Sequence, residues 1–315
     1  MHDTRVPITL ITGFLGAGKT TLLNGLLSQK HGQRIAVIVN EFGDVGIDGD
    51  LVRGTQDEVI ELTNGCVCCT VRGDLERTAV DLLQRRERRL LPLRFDRIVI
   101  EASGLASPGP VVQTFLISQQ LAGRTRMSGV VAVAHGQHIR QQLVREPMAA
   151  EQLAYDDRIL LNHTDIASSS ELDAAEHAIT TINGVAELQR TVLAGASAVD
   201  MLADGPNEFP HSDTHSPHES GVTTVTLTHD DALDIHRLKM WLQFLASRKT
   251  HEIMRMKGIL RCSGRKRAVV VQAVYQWLEL GPSDIAPPPQ SRLVIIGRNL
   301  DQPELDRGWS NVCSG

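Results

Sequence analysis

Short runs of apolar residues alternate with longer stretches whose apolar positions recur at helical spacing. Val6 to Ile11, residues 34–40 (RIAVIVN), 97–101 (RIVIE), 128–134 (SGVVAVA), 157–162 (DRILLN) and about 188–193 are such runs. Each is short enough for a strand and apolar on both faces, the signature of a parallel strand covered on two sides. Helical patterns follow at Thr20 to Leu27, at about Leu75 to Leu91 and at Ser170 to Ile182. Strand and helix alternate, which predicts an α/β domain with a mainly parallel sheet flanked by helices. The basic end of the second helix (Arg85, Arg86, Arg88, Arg89) reads as a solvated face.

The pattern changes after about residue 200. Residues 204–220 (DGPNEFPHSDTHSPHES) are polar and carry Pro206, Pro210 and Pro217, which marks a linker. Beyond it, Val222 to Leu227 reads as a strand. A helix follows with Leu238, Trp241, Leu242 and Leu245 on one face. Further strands are expected at 258–262, 267–275 and 291–297. The organisation is therefore residues 1–203, a linker at 204–220, and a smaller α+β domain at 221–315.

Composition narrows the setting. Hydrophobic residues make up 42% and aromatic residues 3%, so the core is built from aliphatic side chains. The net charge of −5 gives no reason to expect nucleic acid or an anionic membrane as partner. No apolar run approaches 18 residues and no leader is visible, so a soluble cytoplasmic protein is the expectation.

The first strand runs into Gly13-Phe14-Leu15-Gly16-Ala17-Gly18-Lys19-Thr20-Thr21, a G-x-x-x-x-G-K-[ST] loop between strand and helix. Gly13, Gly16, Ala17 and Gly18 would let backbone N–H groups close around phosphate oxygens, and the helix start adds partial positive charge. Lys19 would reach the β- and γ-phosphates, with Thr20 on magnesium and Thr21 beside it. A nucleoside triphosphate is the expected ligand. In an open parallel sheet ligands gather at the carboxyl ends of the strands. Glu101, ending the third run, would complete the magnesium site, although aspartate is usual there. Gly104, three residues on, is placed for its N–H to meet the γ-phosphate. At the end of 157–162, Asn162-His163-Thr164-Asp165 resembles the guanine-reading N-K-x-D with histidine replacing lysine. Asp165 could accept from guanine N1–H and its exocyclic amine, a donor pair adenine lacks. The imidazole could stack on the base where a lysine stem usually lies. GTP is therefore expected over ATP, with an acidic loop as the plainer alternative.

The cysteines number five, and three fall within four positions: Cys66, Cys68 and Cys69. That is no disulfide framework; in a reducing compartment it reads as metal-binding or redox-active. Zinc takes about four ligands, so C-x-C-C suits an incomplete site that borrows one, Glu41 being suitably placed at a strand end. A group of small buried hydrophobes and a redox sensor are the competing readings. Asp44 and Asp48 lie on the same edge and read equally as loop carboxylates. His211, His215 and His218 of the linker could capture metal weakly. Cys262 and Cys313 read as structural.

Several separated segments together resemble the CobW-type P-loop GTPases, relatives of the UreG and HypB nickel-insertion proteins. They are GFLGAGKTTLLN, NEFGDVGIDG, LTNGCVCC, IVIEASGLASPGP, DRILLNHTD, MKGILR and RLVIIGRNLD. The resemblance spans almost the whole chain. It implies a GTP-hydrolysing metallochaperone or metal insertase, handling zinc and sometimes cobalt or another divalent ion, with a C-terminal CobW domain. It places nucleotide roles on Gly13 through Thr21, Glu101, Gly104, Asn162 and Asp165, and metal roles on Glu41, Cys66, Cys68 and Cys69. The partner it implies is a client apo-metalloenzyme, and a metal- or nucleotide-dependent homo-oligomer is compatible with that scheme. Three departures stand out: His163 for lysine, Ala134-His135 where an aspartate–alanine pair is common, and a linker poor in histidine. A metal sensor or buffer with little GTP turnover, and an ATP-using small-molecule kinase, are the alternative functions.

Overall fold

A computed structural model describes residues 4–39, 71–192, 195, 198–203, 221–249, 251–283 and 285–314. Glu41, Asp44, Asp48, the three clustered cysteines and the linker histidines lie outside the described residues. By contact the chain divides into two compact units, residues 1–176 with 187–205, and residues 177–186 with 206–315.

The first unit is an α/β layer structure. Its strands are β1 (Val6–Thr12), β2 (Ile35–Val39), β3 (Arg97–Glu101), β4 (Thr125–His135), β5 (Arg158–Asn162) and β6 (Glu187–Arg190). They form one six-stranded sheet in the order β2-β3-β1-β4-β5-β6, parallel at every pairing. Helices α1 (Lys19–Ser28), α2 (Val71–Arg86), α3 (Pro108–Ile117), α4 (Ile139–Arg145), α5 (Pro147–Ala154), α6 (Ser169–Ile182) and α7 (Ala198–Leu202) connect them. The central runs are buried throughout, with Ile8, Leu10, Val37, Val99, Ile100, Val131 and Leu160 at 0–1% exposure. Apolar residues on consecutive positions thus mean helices on both faces. The predicted parallel α/β fold is what forms. Among the described residues no helix is long and apolar enough to cross a membrane.

Three details of this unit depart from the sequence pattern. The strand expected at 128–134 starts three residues earlier, because Thr125 and Met127 already pair with β1. The helix expected to reach Leu91 stops at Arg86. Leu91 precedes Pro92, which disfavours helical backbone, and it takes a φ of 52° with its side chain exposed. Arg86 is not simply solvated. Its guanidinium lies over the Phe95 ring at 5.6 Å and its Nε donates to the Phe95 carbonyl at 3.0 Å.

The second unit is built on an antiparallel sheet. Strands β7 (Val222–His229), β8 (Ile253–Leu260), β9 (Val269–Val274), β10 (Trp277–Pro282) and β11 (Ser291–Arg298) run in the order β10-β9-β8-β11-β7. Helices α8 (Ile235–Arg248) and α9 (Gln302–Cys313) pack on it through Leu238, Leu242, Leu245, Leu305 and Trp309, meeting Val225, Leu227, Leu293 and Ile295. Residues 177–186 belong here, where the Thr224 hydroxyl donates to the Ile182 carbonyl at 2.6 Å. α8 begins where the Asp234 carboxylate accepts from the N–H of His236 and Arg237 at 2.8 and 2.9 Å, an N-cap. α9 is capped alike by Asp301 and carries Leu305, Trp309 and Val312 on one face. Cys262 is buried in this core, and burial pushes its thiol up to about 11. A thiol held protonated is inert as a metal ligand.

Candidate functional site

The phosphate loop follows from three glycine conformations. Gly13, Gly16 and Gly18 have φ of 126°, 75° and 108°, a region costly for residues with a Cβ. At Gly13 a Cβ would stand 2.2 Å from the Val133 carbonyl oxygen, so the loop crosses β4 with no room for a side chain. At Gly18 it would stand 2.5 Å from Asn162 Nδ2. α1 starts at Lys19, immediately after Gly18, so its first N–H groups face the loop's interior. Ala17 is fully buried, and its carbonyl accepts from Asn162 Nδ2 at 2.9 Å. Asn162 therefore ties the end of β5 to the phosphate loop.

Strand register brings the acid in. Glu101 pairs with Ile11 of β1 and with Val39 of β2, so the carboxyl ends of three strands meet at one level. Thr20 Oγ1 donates to Glu101 Oε1 at 2.7 Å, and Glu101 is 6% exposed. Lys19 Nζ donates to the Phe14 carbonyl at 3.2 Å, which places the ammonium over the loop. Gly104 closes the far side. A Cβ there would lie 2.8 Å from the Leu15 nitrogen, so only glycine lets the two loops approach this closely.

These groups surround a cavity of about 510 Å³. Its wall includes Gly16, Gly18, Lys19, Thr20, Thr21 and Glu101, together with Gly104 and His163. Lys19, Thr20, Glu101, Gly104 and His163, proposed from separate parts of the sequence, thus share one space. Gly13 and Ala17 shape the loop from behind. Asp165 is exposed, two residues beyond His163, and its side chain is not part of the wall. Thr164 fixes its turn by donating from Oγ1 to the Thr191 carbonyl at 3.0 Å. A hydroxyl and a carboxylate are hard oxygen donors, and Thr20 with Glu101 fits magnesium by that chemistry. Held there by Thr20 and Glu101, magnesium would supply positive charge to offset charge developing on a transferring phosphoryl group. No group of three or more metal-ligating side chains occurs among the described residues.

Residues 7–190 match the nucleotide-binding domain of the CobW/HypB/UreG family. The chain belongs to that family. Residues 222–313 match the C-terminal domain of the cobalamin synthesis protein CobW. Zinc chaperone YjiA of Escherichia coli (strain K12) is 32% identical over 320 residues, covering 98% of each chain. Zinc chaperone CobW of Sinorhizobium sp is 33% identical, covering 86% of this chain and 85% of the relative. Zinc-regulated GTPase metalloprotein activator 1 of Schizosaccharomyces pombe is 36% identical over 64% of this chain and 50% of its own. The crystal structure of Zn(II)-bound YjiA GTPase from E. coli shares the fold with a TM-score of 0.73, at 29% identity over 99% of each chain.

Three residues of this CobW/HypB/UreG member were not singled out as site residues from sequence. Gln152 is 2% exposed and its Nε2 donates to the carbonyls of Gly104 and Ala106, each at 3.1 Å. Asp156, fully buried, accepts from the Thr12 hydroxyl at 2.9 Å directly before the phosphate loop. His135 ends β4 and stacks on His163. A lone polar residue near the end of a helix or strand gives no periodic signal, so only the partner reveals its role.

Proposed function

We propose that this protein hydrolyses GTP and couples the nucleotide state to binding and delivery of a divalent ion, zinc above all, to a client metalloenzyme. The observation that carries the nucleotide half is the Thr20–Glu101 contact inside a cavity bounded by the phosphate loop, Gly104 and His163. In this reading the loop amides and Lys19 hold the phosphates, and Gly104 N–H meets the terminal one. His163 stacks on the base, and Asp165 accepts from guanine. The work of such a site is positioning and charge stabilisation rather than covalent chemistry.

The metal half rests on Glu41, Cys66, Cys68 and Cys69. The zinc chaperones among its relatives support zinc as the ion, and cobalt is the other candidate cargo. Glu41 follows by two residues Val39, which lines the nucleotide cavity, and Cys69 precedes by two residues Val71, where α2 begins. Both ends of the metal-bearing segment are therefore joined to the nucleotide-binding unit. Linkage makes the coupling reciprocal: the factor by which GTP changes metal affinity is the factor by which metal changes GTP affinity. Such couplings are typically about 1–3 kcal/mol, against roughly 10–16 kcal/mol for a closed structural zinc site. An incomplete C-x-C-C site is weak enough for a coupling of that size to matter.

The deciding measurement is zinc affinity with and without a non-hydrolysable GTP analogue. A difference of about fivefold or more is expected; equal affinities overturn the coupling. Asp165→Asn should narrow the preference for GDP over ADP, since the carboxylate would no longer accept both guanine donors.

A further inference from the structure

We propose that His135 is a positioning residue for the nucleotide base: it packs beneath His163 and holds that ring flat to the cavity as the surface on which the purine stacks. This rests on the proposal that the cavity takes a guanine nucleotide.

Two of the positions where the chain departs from the resembled family pattern, His135 and His163, are in ring contact. His135 and Asn162 are register partners at the ends of β4 and β5, so the residues that follow leave the sheet side by side. Gly136 N donates to the Asn162 carbonyl at 2.8 Å, and a Cβ on Gly136 would lie 3.0 Å from that oxygen. The two turns are thus drawn close at a point where a side chain would crowd them. His163 sits at a φ of 61°, a conformation histidine tolerates better than most residues. Its ring centroid comes to 4.2 Å from that of His135, with planes 21° apart. On its other flank His135 meets His138, also at 4.2 Å, with planes 34° apart. The result is a column of three imidazoles, and its His163 end lines the cavity.

The middle ring is held on several sides. His135 is 9% exposed, and its Nδ1 accepts from Gln137 N–H at 3.3 Å. Gln137 Nε2 in turn donates to the Ile166 carbonyl at 2.8 Å, binding the turn after β4 to the turn that carries His163. Burial, with the imidazoles of His163 and His138 beside it, pushes His135 down to about 4. It is therefore a neutral ring near pH 7. A lysine presents a flexible stem to the base and needs no support. A lone imidazole turns about χ1 and χ2, and fixing it on binding costs conformational entropy. A ring stacked beforehand loses less, which is how preorganisation raises affinity.

The test uses the full chain and two ligands, GDP and inorganic pyrophosphate, titrated calorimetrically. Base stacking predicts that His135→Ala raises the GDP Kd about tenfold and leaves the pyrophosphate Kd within about twofold. His135→Phe, which keeps a flat ring, should stay within about threefold of the parent for both ligands. In a His163→Ala background, His135→Ala should change GDP affinity no further. An unchanged GDP Kd in His135→Ala, an equal loss of pyrophosphate binding, or effects that simply add across the two histidines would each overturn the proposal. Should the alanine variant fail to fold, His135→Leu replaces it. Leucine fills the space without a flat face, and leucine and phenylalanine variants of equal GDP affinity overturn the proposal as well. A parent protein that binds pyrophosphate but not GDP removes the guanine reading together with this one. A parent that binds GDP with histidine-insensitive affinity removes this one alone.

Discussion

β3 carries a buried ionic group at each end, and the two ends treat it differently. At its start Arg97, 4% exposed, donates to the hydroxyls of Thr9 and Ser128, both at 2.8 Å, and to Gln33 Oε1 at 3.1 Å. At its finish Glu101, 6% exposed, meets Thr20 on the wall of an open cavity. The first end is closed, with neighbouring strands supplying partners that lock the guanidinium in place. The second faces a space that a ligand can fill. Burial alone does not mark function; what matters is whether the group's partners complete a structure or bound a cavity.

The comparison breaks most sharply on substitution. Lys19→Ala should lower GTP turnover by roughly 100-fold or more, as loss of one preorganised positive group at developing charge does. Its melting temperature should fall less than that of an Arg97 variant, because Lys19 Nζ donates to a carbonyl only five residues away, at 3.2 Å, within its own loop. Arg97→Met should do the reverse. It removes three charge-assisted bonds, two of them to the buried Thr9 and Ser128 hydroxyls, and should cost about 3 kcal/mol of stability, while nucleotide affinity stays near the parent's. Denaturant unfolding and steady-state turnover on both variants check the pair. Loss of turnover in Arg97→Met at full stability would erase the distinction.

Much of the working end was legible in the sequence. The glycine loop, Glu101 at a strand end and Gly104 three residues on each carry a local signal, a strand giving way to residues whose chemistry has one main use. Parallel strands then bring them to a single level without further information. Less legible was whatever depends on contact between distant turns. Gln152 lies in the last turn of α5 and Asp156 just after it, and both look like ordinary helix-end polar groups. His135 looked like an unexplained substitution until the register of β4 and β5 set it against His163. The structural end was legible only as apolar strand, since Arg97 reads as a flanking charge until Thr9 and Ser128 are seen to enclose it. In the second unit, β10 and α9 escaped notice. β10 is an edge strand with half-exposed positions and no strict alternation, and α9 shows only three core positions, Leu305, Trp309 and Val312.

The two ends should also differ in acid. His135, on the ligand side, has a folded value near 4 against an ordinary value near 6.5. Between those values the unfolded chain binds a proton that the folded chain does not, so stability falls as pH drops from 6.5 towards 4 and is unaffected above 6.5. A shift of this size is worth about 2 kcal/mol after allowance for local relaxation. His135→Phe should remove that part of the pH dependence, whereas Arg97→Met should shift the whole stability curve by one amount across this range. Urea unfolding at pH 7 and pH 5 reads both. An unchanged slope in His135→Phe would mean that the ring takes up its proton in the folded state.

The smallest effect sharpens the border between the two kinds of end. Gln152 is buried like Arg97, yet its amide holds the carbonyls of Gly104 and Ala106, at the rim of the cavity. If it serves only the fold, Gln152→Ala should lower stability by about 1 kcal/mol and weaken every nucleotide alike. If it sets the loop that meets the terminal phosphate, the loss should be selective. Affinity for a non-hydrolysable GTP analogue should fall about fivefold, the equivalent of about 1 kcal/mol, with GDP affinity nearly unchanged. We expect the selective result. Both donated bonds end on the loop that Gly104 brings against Leu15, and a GDP molecule has no group to place there. Parallel titrations with the two nucleotides decide between them, and equal losses would move Gln152 to the side of Arg97.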